Sequence, residues 1–303
     1  PPGGLDPLAG HELVVREDDV PYSHEELCQA ASSVEAIVCL LTDRIDRAVI
    51  ESAPRLKVVA NVAVGYDNID LEAARRAGVA VCNTPGVLDE TTADLAFALV
   101  LAASRRMSEA EADLRAGRWR GWGIGQYLGR DVHGATLGIV GYGRIGRAVA
   151  RRAAGFGMTV LHCSRRDTGE EGYVADLDEL LASSDVVSLH VPLSAGTRHL
   201  IDARRLSLMR PTAVLVNTSR GPVVDEEALA QALEDGRIFA AGLDVYEDEP
   251  RVSPRLLAAP RTVLLPHIGS ASVATRTTMA RVAAQGAAAV LAGEVPPNLV
   301  REH

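Results

Sequence analysis

Residues 137–146, Leu-Gly-Ile-Val-Gly-Tyr-Gly-Arg-Ile-Gly, decide the fold of this chain. The apolar beginning of this stretch is typical of a buried strand, and residues 147–155 continue with the pattern of an amphipathic helix. Its last three glycines have the spacing G-x-G-x-x-G. Gly141 permits a tight turn, Gly143 lets a phosphate approach the backbone, and Gly146 lets the helix pack closely on the strand.

The start of the predicted helix adds an electrostatic argument. The N–H groups of Arg144 and Ile145 have no partners inside the helix, and the helix dipole has its positive end there; both features attract phosphate. A second predicted strand, 159–162, follows in the order that a dinucleotide fold requires. The stretch therefore predicts a dinucleotide site, and the alternative is a glycine turn that only permits close packing.

The end of the second strand bears on which dinucleotide binds. An NAD site usually has Asp or Glu there, which holds the ribose hydroxyls. This chain has Ser164, Arg165 and Arg166, and Asp167 follows later. A hydroxyl and two guanidinium groups suit a phosphate monoester. We therefore favour NADP over NAD as the cofactor; the alternative is that both arginines belong to a solvated loop.

Short apolar runs alternate with amphipathic stretches along almost the whole chain. This alternation predicts an α/β fold with mostly parallel sheets that are buried on both faces. The predicted strands are 13–15, 36–41, 57–60, 79–82, 137–140, 159–162, 186–190, 213–217, 240–243 and 262–265. The predicted helices are 25–33, 71–77, 145–155, 225–234 and 271–291.

A helix-prone segment without Gly or Pro, 89–116, separates the first four predicted strands from the last six. We predict one long helix here that joins two α/β domains. The last helix follows the second set of strands directly, so we expect it to return and pack on the first domain.

Composition excludes several classes of protein. The chain has 303 residues, 47% of them hydrophobic, and a net charge of −9, which argues against binding to nucleic acid or to an anionic membrane. No apolar run reaches the roughly 18 residues of a membrane span. The four cysteines are far apart, so we predict reduced thiols, no metal site and a cytoplasmic location.

Two further strand ends carry candidates for chemistry on a carbonyl group. His267 follows a predicted strand and Pro266, at the edge of the sheet where open α/β folds bind ligands. A carboxylate from Glu247, Asp248 or Glu249 would orient its ring and favour its protonated form. Arg220 follows another strand and suits a bidentate grip on a carboxylate, although a surface salt bridge is the alternative. The other seven histidines lie in surface or structural contexts.

Together these segments resemble the D-2-hydroxyacid dehydrogenase family, and within it glyoxylate/hydroxypyruvate reductases. The segments that carry the resemblance stand in the family's order: 61–70, the glycine stretch, 217–221, 242–250 and 266–270. The resemblance implies reduction of a small 2-keto acid to the D-2-hydroxy acid by hydride transfer from NAD(P)H. It also implies two doubly wound parallel-sheet domains, a flavodoxin-like substrate domain of residues 1–93 and 273–303 and a Rossmann cofactor domain of residues 94–272.

The same resemblance implies roles for particular residues. Arg220 would anchor the substrate, His267 would be the general acid, and Glu249 would be its partner. Val64, Gly65 and Ser270 would bind substrate with Arg220 and His267. Residues expected around the cofactor, besides residues 141–146 and 164–166, are Thr92, Val191, Pro192, Thr197, Thr218, Ser219, Asp244 and Gly269. Family members are usually homodimers, so Trp119, Trp122 and Tyr127 are expected at a subunit interface.

The resemblance has departures and leaves alternatives open. The family begins with a strand before the segment that matches residues 4–6, so we expect the recorded sequence to start inside a longer chain. The connection 166–173 is shorter than in relatives, which bears on cofactor choice. Another branch of the family, acting on phosphoglycerate or phosphite, is one alternative. A corepressor-like protein that binds dinucleotide as a sensor is the other.

Overall fold

A computed structural model describes residues 1–16 and 20–301. The chain forms two compact units, Pro1–Leu88 with Ser270–His303 and Asp89–Gly269. Both are α/β units with parallel sheets, as predicted. In the described ranges no helix is long and apolar enough to span a membrane.

The first unit is built on a three-stranded parallel sheet. Its strands are β1 (Ala36–Cys39), β2 (Val58–Asn61) and β3 (Ala80–Cys82), in the order β1-β2-β3. Side chains of β2 alternate between the two faces, so Val59 packs on one helical layer while Val58 and Ala60 pack on the other. The first layer consists of α1 (His24–Ala31), α2 (Arg47–Glu51) and α3 (Leu71–Arg76).

The last helix, α11 (Val273–Leu291), covers the other face of this sheet. Its small residues Ala283, Ala284 and Ala287 are fully buried against Val58 and Ala60. A short 3-10 helix, Asp6–Leu8, adds Leu8 to the same cluster. The prediction that the last helix returns to the first domain is therefore confirmed.

The predicted strand 13–15 is wrong. Residues 12–16 have no regular secondary structure, and the side chains of Leu13, Val14 and Val15 are exposed. A strand needs the backbone of a neighbour as well as an apolar pattern. In the described part of the chain, no strand pairs with this segment.

The second unit is built on a six-stranded parallel sheet in the order β5-β4-β6-β7-β8-β9. Its strands are β4 (Thr136–Val140), β5 (Thr159–Cys163), β6 (Val186–Leu189), β7 (Val214–Asn217), β8 (Ala240–Leu243) and β9 (Thr262–Leu264). β5 lies on one side of β4, and β6 and the later strands lie on the other side, so the strand order reverses at β4. A crevice at such a switch point, beyond the carboxyl ends of the strands, is where open parallel sheets bind ligands.

Helices cover both faces of this sheet. One face carries α4 (Asp89–Ser104) and α6 (Arg144–Ala154). The other face carries α7 (Leu177–Ser183), α8 (Ala203–Leu208), α9 (Glu226–Glu234) and α10 (Pro254–Ala258). The strands are buried on both sides, which explains why the sequence shows them as continuous apolar runs.

The single long helix predicted for residues 89–116 is wrong. Helix α4 ends at Ser104, and α5 (Met107–Arg115) begins after Arg106, whose φ of 54° is left-handed. The backbone N–H of Arg130 donates to the Ser104 carbonyl oxygen at 2.8 Å. This long-range bond satisfies a carbonyl at the end of α4, so the two helices are separated by contacts that the local sequence does not show.

Candidate active site

The glycine stretch forms a turn between β4 and α6. Gly141 has a φ of 95°, and a side chain there would clash with the His190 carbonyl oxygen. A Cβ at Gly146 would lie 2.3 Å from the Gly141 oxygen, so this glycine allows the helix to approach the strand. A Cβ at Gly143 would meet nothing within 4 Å. These three environments match the three predicted roles, and the turn is a cradle that fits a dinucleotide phosphate.

The start of α6 lacks a side-chain cap. Gly143 occupies the N-cap position without a side-chain hydrogen bond, and Arg144 and Ile145 begin the helix. The Arg144 guanidinium is turned to Asp89, 3.4 Å away. The uncapped helix end keeps its first N–H groups and the positive end of its dipole for an anion.

Residues 164–169, the arginine loop, follow β5, which pairs with β4. Ser164 Oγ donates to the Arg166 carbonyl oxygen at 2.6 Å and closes the loop, while Arg165 and Arg166 are exposed. Asp167 accepts the N–H of Gly169, which engages its carboxylate within the loop. Two exposed guanidinium groups next to a phosphate cradle suit a second phosphate.

The turn after β6 lies on the other side of the switch point. It begins with Val191 and Pro192, and the Thr197 hydroxyl donates to the Pro192 carbonyl oxygen at 2.7 Å. The same hydroxyl accepts the N–H of Ser194. Thr197 therefore shapes the turn.

The turn after β7 carries Arg220. Buried Asn217 accepts from the backbone and hydroxyl of Ser219 and donates to the Arg220 carbonyl oxygen. Thr218 Oγ1 is buried and has no partner among the described residues, which is the environment expected of a hydroxyl that contacts a ligand. A Cβ at Gly221 would overlap the Tyr246 backbone, so glycine is needed for the turn to reach residues 246–247.

His267 and Glu249 form a hydrogen-bonded pair. His267 Nδ1 lies 2.8 Å from Glu249 Oε2, and both side chains are about one quarter exposed. The other Glu249 oxygen accepts the N–H of Tyr246 at 3.0 Å. Of the three acidic residues considered as partners from the sequence, Glu249 is therefore the one that contacts His267.

The charges around Glu249 favour its ionised form. Burial of the carboxyl opposes ionisation, but the hydrogen bond and charge of His267 and the N–H bond from Tyr246 act against it, and the pKa of Glu249 lies below its usual value. The positive charge of Arg220 contributes in the same direction. An ionised carboxylate in turn favours a protonated imidazole. The pair is therefore suited to hold a proton for transfer.

Asp244 fixes the segment that carries His267. Its oxygens accept the N–H groups of Ile268 and Gly269, each at 2.7 Å. Burial raises the pKa of Asp244, and these two bonds act against that rise. A Cβ at Gly269 would lie 3.2 Å from Asp244 and 3.5 Å from Thr92, so Thr92 belongs to the same neighbourhood. Both Asp244 oxygens are thus engaged by the backbone.

The predicted substrate loop lies in the first unit. Asn83 Nδ2 donates to the Val64 carbonyl oxygen and Asn61 Nδ2 to that of Gly65, each at 2.8 Å. These amides fix the peptide planes of the loop. Ser270, at the start of the chain's return to this unit, accepts the N–H of Ser272 through its carbonyl oxygen. The substrate contacts of Val64, Gly65 and Ser270 stay predictions.

A family model for the NAD binding domain of D-isomer specific 2-hydroxyacid dehydrogenases matches residues 97–269. A glyoxylate reductase from Thermococcus onnurineus is 49% identical over 312 aligned positions, covering 99% of this chain and 93% of that protein. The chain belongs to this dehydrogenase family.

Solved structures agree with this membership. The TT0316 protein from Thermus thermophilus has a TM-score of 0.93 and 45% identity, covering 98% of this chain and 96% of its own. An NADPH-dependent glyoxylate/hydroxypyruvate reductase from Sinorhizobium meliloti, in complex with NADP and malonate, has a TM-score of 0.83 and 37% identity, covering 89% and 85%. The recognition of the family from sequence is confirmed, as is the expectation of an NAD(P)-dependent oxidoreductase.

Several polar residues that organise the site were missed in the sequence. Asn217, Tyr246 and Glu226 contact the backbone of loops around the site, and Asn61 and Asn83 contact the backbone of the loop 64–65 in the first unit. The signal that could have found some of them is position, because Asn61 and Asn217 are the last residues of β2 and β7. Polar side chains at the carboxyl ends of parallel strands face the ligand-binding edge.

Proposed function

We propose that this chain reduces glyoxylate or hydroxypyruvate to the corresponding 2-hydroxy acid, with NADPH as the preferred cofactor. The observation that carries the proposal is the contact between His267 and Glu249, close to the charge of Arg220 and in the unit that holds the glycine cradle. An acid and an arginine are what the reduction of a 2-keto acid needs from a protein. The names of the curated relative and of the Sinorhizobium structure point to the same substrates.

Three side chains, those of Arg220, Glu249 and His267, have separate tasks in the proposed mechanism. Arg220 binds the substrate carboxylate and carbonyl group through its guanidinium. Glu249 holds His267 Nδ1, so the proton for the carbonyl oxygen comes from Nε2. The nicotinamide cofactor, when bound, supplies the hydride. Val64 and Gly65 are proposed to hold the substrate carboxylate through their backbone.

The preference for NADPH rests on the arginine loop. Arg165 and Arg166 are exposed after β5, the strand that pairs with β4, and the Asp167 carboxylate accepts the N–H of Gly169. A 2′-phosphate would be attracted there, whereas NADH would gain nothing from the two guanidinium groups.

A homodimer is proposed from the segment after α5. Trp122 and Ile124 are each 82% exposed, and Trp119 and Leu128 are at least half exposed. Such a run of large exposed apolar side chains is typical of a protein interface. Tyr127, by contrast, donates to Asp113 within the same chain. Analytical ultracentrifugation of the wild type and of Trp122→Ser tests this, and a wild-type monomer at micromolar concentration would contradict it.

The function is tested with a panel of keto acids, each assayed with NADPH and with NADH. We expect glyoxylate and hydroxypyruvate to be reduced at ordinary enzyme rates, and faster with NADPH at subsaturating cofactor. Turnover of phosphoglycerate or phosphite instead would favour another branch of the family. Cofactor binding without turnover of any substrate would favour a sensor.

A further inference from the structure

Glu226 is a buried carboxylate at the first position of α9, only 7% exposed. Both of its oxygens accept backbone N–H groups from another segment: Oε2 from Glu247 at 3.0 Å and Oε1 from Ser253 at 2.7 Å. A carboxylate has two acceptor oxygens, so it can hold both N–H groups at once.

These two N–H groups lie on either side of Glu249. Residues 247–253 form an irregular turn, and Glu226 connects its two ends. Just before the turn, Tyr246 donates its N–H to Glu249 Oε1. The backbone N–H groups at the two ends of the turn that carries Glu249 are therefore both held by the Glu226 carboxylate on α9.

The arrangement mirrors what Asp244 does for the other member of the pair. Asp244 holds two N–H groups of the segment that carries His267, and Glu226 holds two N–H groups of the turn that carries Glu249. Each half of the pair thus has its own buried carboxylate. Side chains that must meet within a few tenths of an ångström need such support.

We propose that Glu226 is a positioning residue for the Glu249–His267 pair. It holds the turn 247–253 so that Glu249 Oε2 meets His267 Nδ1. The proposal rests on the proposed function, in which His267 donates the proton. A glutamine cannot replace Glu226, because its NH2 group would face one of the two N–H donors.

The competing view is that Glu226 only stabilises the fold. An acidic residue in the first turn of a helix is favourable by itself, because it faces the positive end of the helix dipole. Loss of that effect would lower the free energy of unfolding but would leave the pH dependence of the folded enzyme unchanged. The two views therefore predict different pH profiles of kcat/KM for the Glu226 variant.

The experiment compares two pairs of variants in the full chain, with glyoxylate and NADPH. Glu226→Gln disrupts the connection from the carboxylate side, and Glu227→Gln makes the same change at a neighbour whose carboxylate contacts the side chains of Ser253 and Arg255. Ser253→Pro removes one donated N–H, and its φ of −53° suits proline. Ser253→Ala keeps that N–H and removes only the hydroxyl.

We expect Glu226→Gln and Ser253→Pro to lower kcat on the order of tenfold, since misplacement of a catalytic group is costly. We also expect the alkaline limb of kcat/KM to move to lower pH, because Glu249 then stabilises the protonated imidazole less. The dissociation constant for NADPH stays at the wild-type value. Glu227→Gln and Ser253→Ala keep the wild-type profile.

An unchanged alkaline limb in folded Glu226→Gln and Ser253→Pro overturns the proposal and leaves Glu226 a structural residue. If Glu226→Gln does not fold, Ser253→Pro decides alone. Glu249→Gln separates this failure from failure of the proposed function. A shifted alkaline limb in Glu249→Gln, with no shift in the other two variants, excludes only the positioning role of Glu226. No shift in Glu249→Gln excludes the Glu249–His267 pair as the proton donor of the proposed function.

Discussion

His267 Nδ1 and Glu249 Oε2 lie 2.8 Å apart, and the backbone of His267 has a left-handed φ of 53°. A non-glycine residue in this conformation costs on the order of 1–3 kcal/mol and persists only when the surroundings enforce it. The two N–H bonds to Asp244 that follow His267 are part of that enforcement. These bonds therefore hold the segment from which the imidazole reaches Glu249.

The first prediction concerns the proton donor. His267→Asn removes the acid and keeps a polar side chain of similar reach. We expect kcat for glyoxylate to fall on the order of 10²–10⁴-fold, the usual contribution of a general acid. The dissociation constant for NADPH, measured by fluorescence titration, should stay within the wild-type range. A variant with near wild-type turnover would exclude His267 as the donor.

The second prediction concerns its partner. Reduction requires protonated His267, so the rate falls as pH rises. Glu249→Gln replaces a charged acceptor by a neutral amide that no longer favours the protonated ring, so the alkaline limb of kcat/KM should move to lower pH. The measurement is a pH series of initial rates at low glyoxylate. A profile that coincides with the wild type would remove Glu249 from the pair.

The third prediction concerns cofactor choice. In Arg165→Ala/Arg166→Ala the cradle is untouched, but the two guanidinium groups next to it are gone. A hydrogen bond to a charged group contributes about 1.5–3 kcal/mol, so KM for NADPH should rise at least about tenfold. KM for NADH should change little, and it is the internal control. An equal rise in KM for both cofactors would show that the loop does not contact a 2′-phosphate.

The fourth prediction separates two glycines of the cradle. Gly146→Ala places a methyl group 2.3 Å from the Gly141 oxygen, so it should lower the melting temperature. Gly143→Ala meets nothing within 4 Å, so the fold should keep its stability while affinity for NADPH falls. Differential scanning fluorimetry with and without NADPH measures both effects. Full NADPH affinity in Gly143→Ala would place the pyrophosphate elsewhere.

The sequence alone was sufficient to predict those features whose cause lies within one short segment. The strands of the second unit and the cradle depend on apolar runs and glycine spacing, which act over about ten residues. Helix α4 ends at Ser104, whose carbonyl oxygen accepts the N–H of Arg130, far along the chain. Residues 13–15 have a strand pattern without a neighbouring strand in the described residues. Neither outcome has a local cause.

The same distinction explains the candidate site. Arg220 and His267 could be predicted because each follows a strand at the ligand-binding edge. Glu249 could not be chosen over Glu247 or Asp248 from spacing, because the direction of each side chain depends on how the turn is held. Glu226 holds that turn from α9, and nothing in its own helix indicates the contact.

The fifth prediction concerns acid stability. Loss of water around the ring lowers the pKa of His190 to about 4, and its Nε2 lies 2.8 Å from Ser188 Oγ. The unfolded chain takes up this proton near the ordinary histidine pKa of about 6.5, whereas the folded chain does so only near 4. The unfolded state therefore binds more protons in this window, and stability falls as pH falls from about 6.5 to 4.

His190→Gln removes the titration. Between pH 7 and pH 5, the free energy of unfolding should decrease by about 1–2 kcal/mol less in this variant than in the wild type. Urea denaturation at the two pH values gives this difference directly. His133→Gln, the same change at an exposed histidine, is the matched control and should follow the wild type. If His190→Gln also follows the wild type, His190 takes up its proton without unfolding, and another group causes the acid sensitivity.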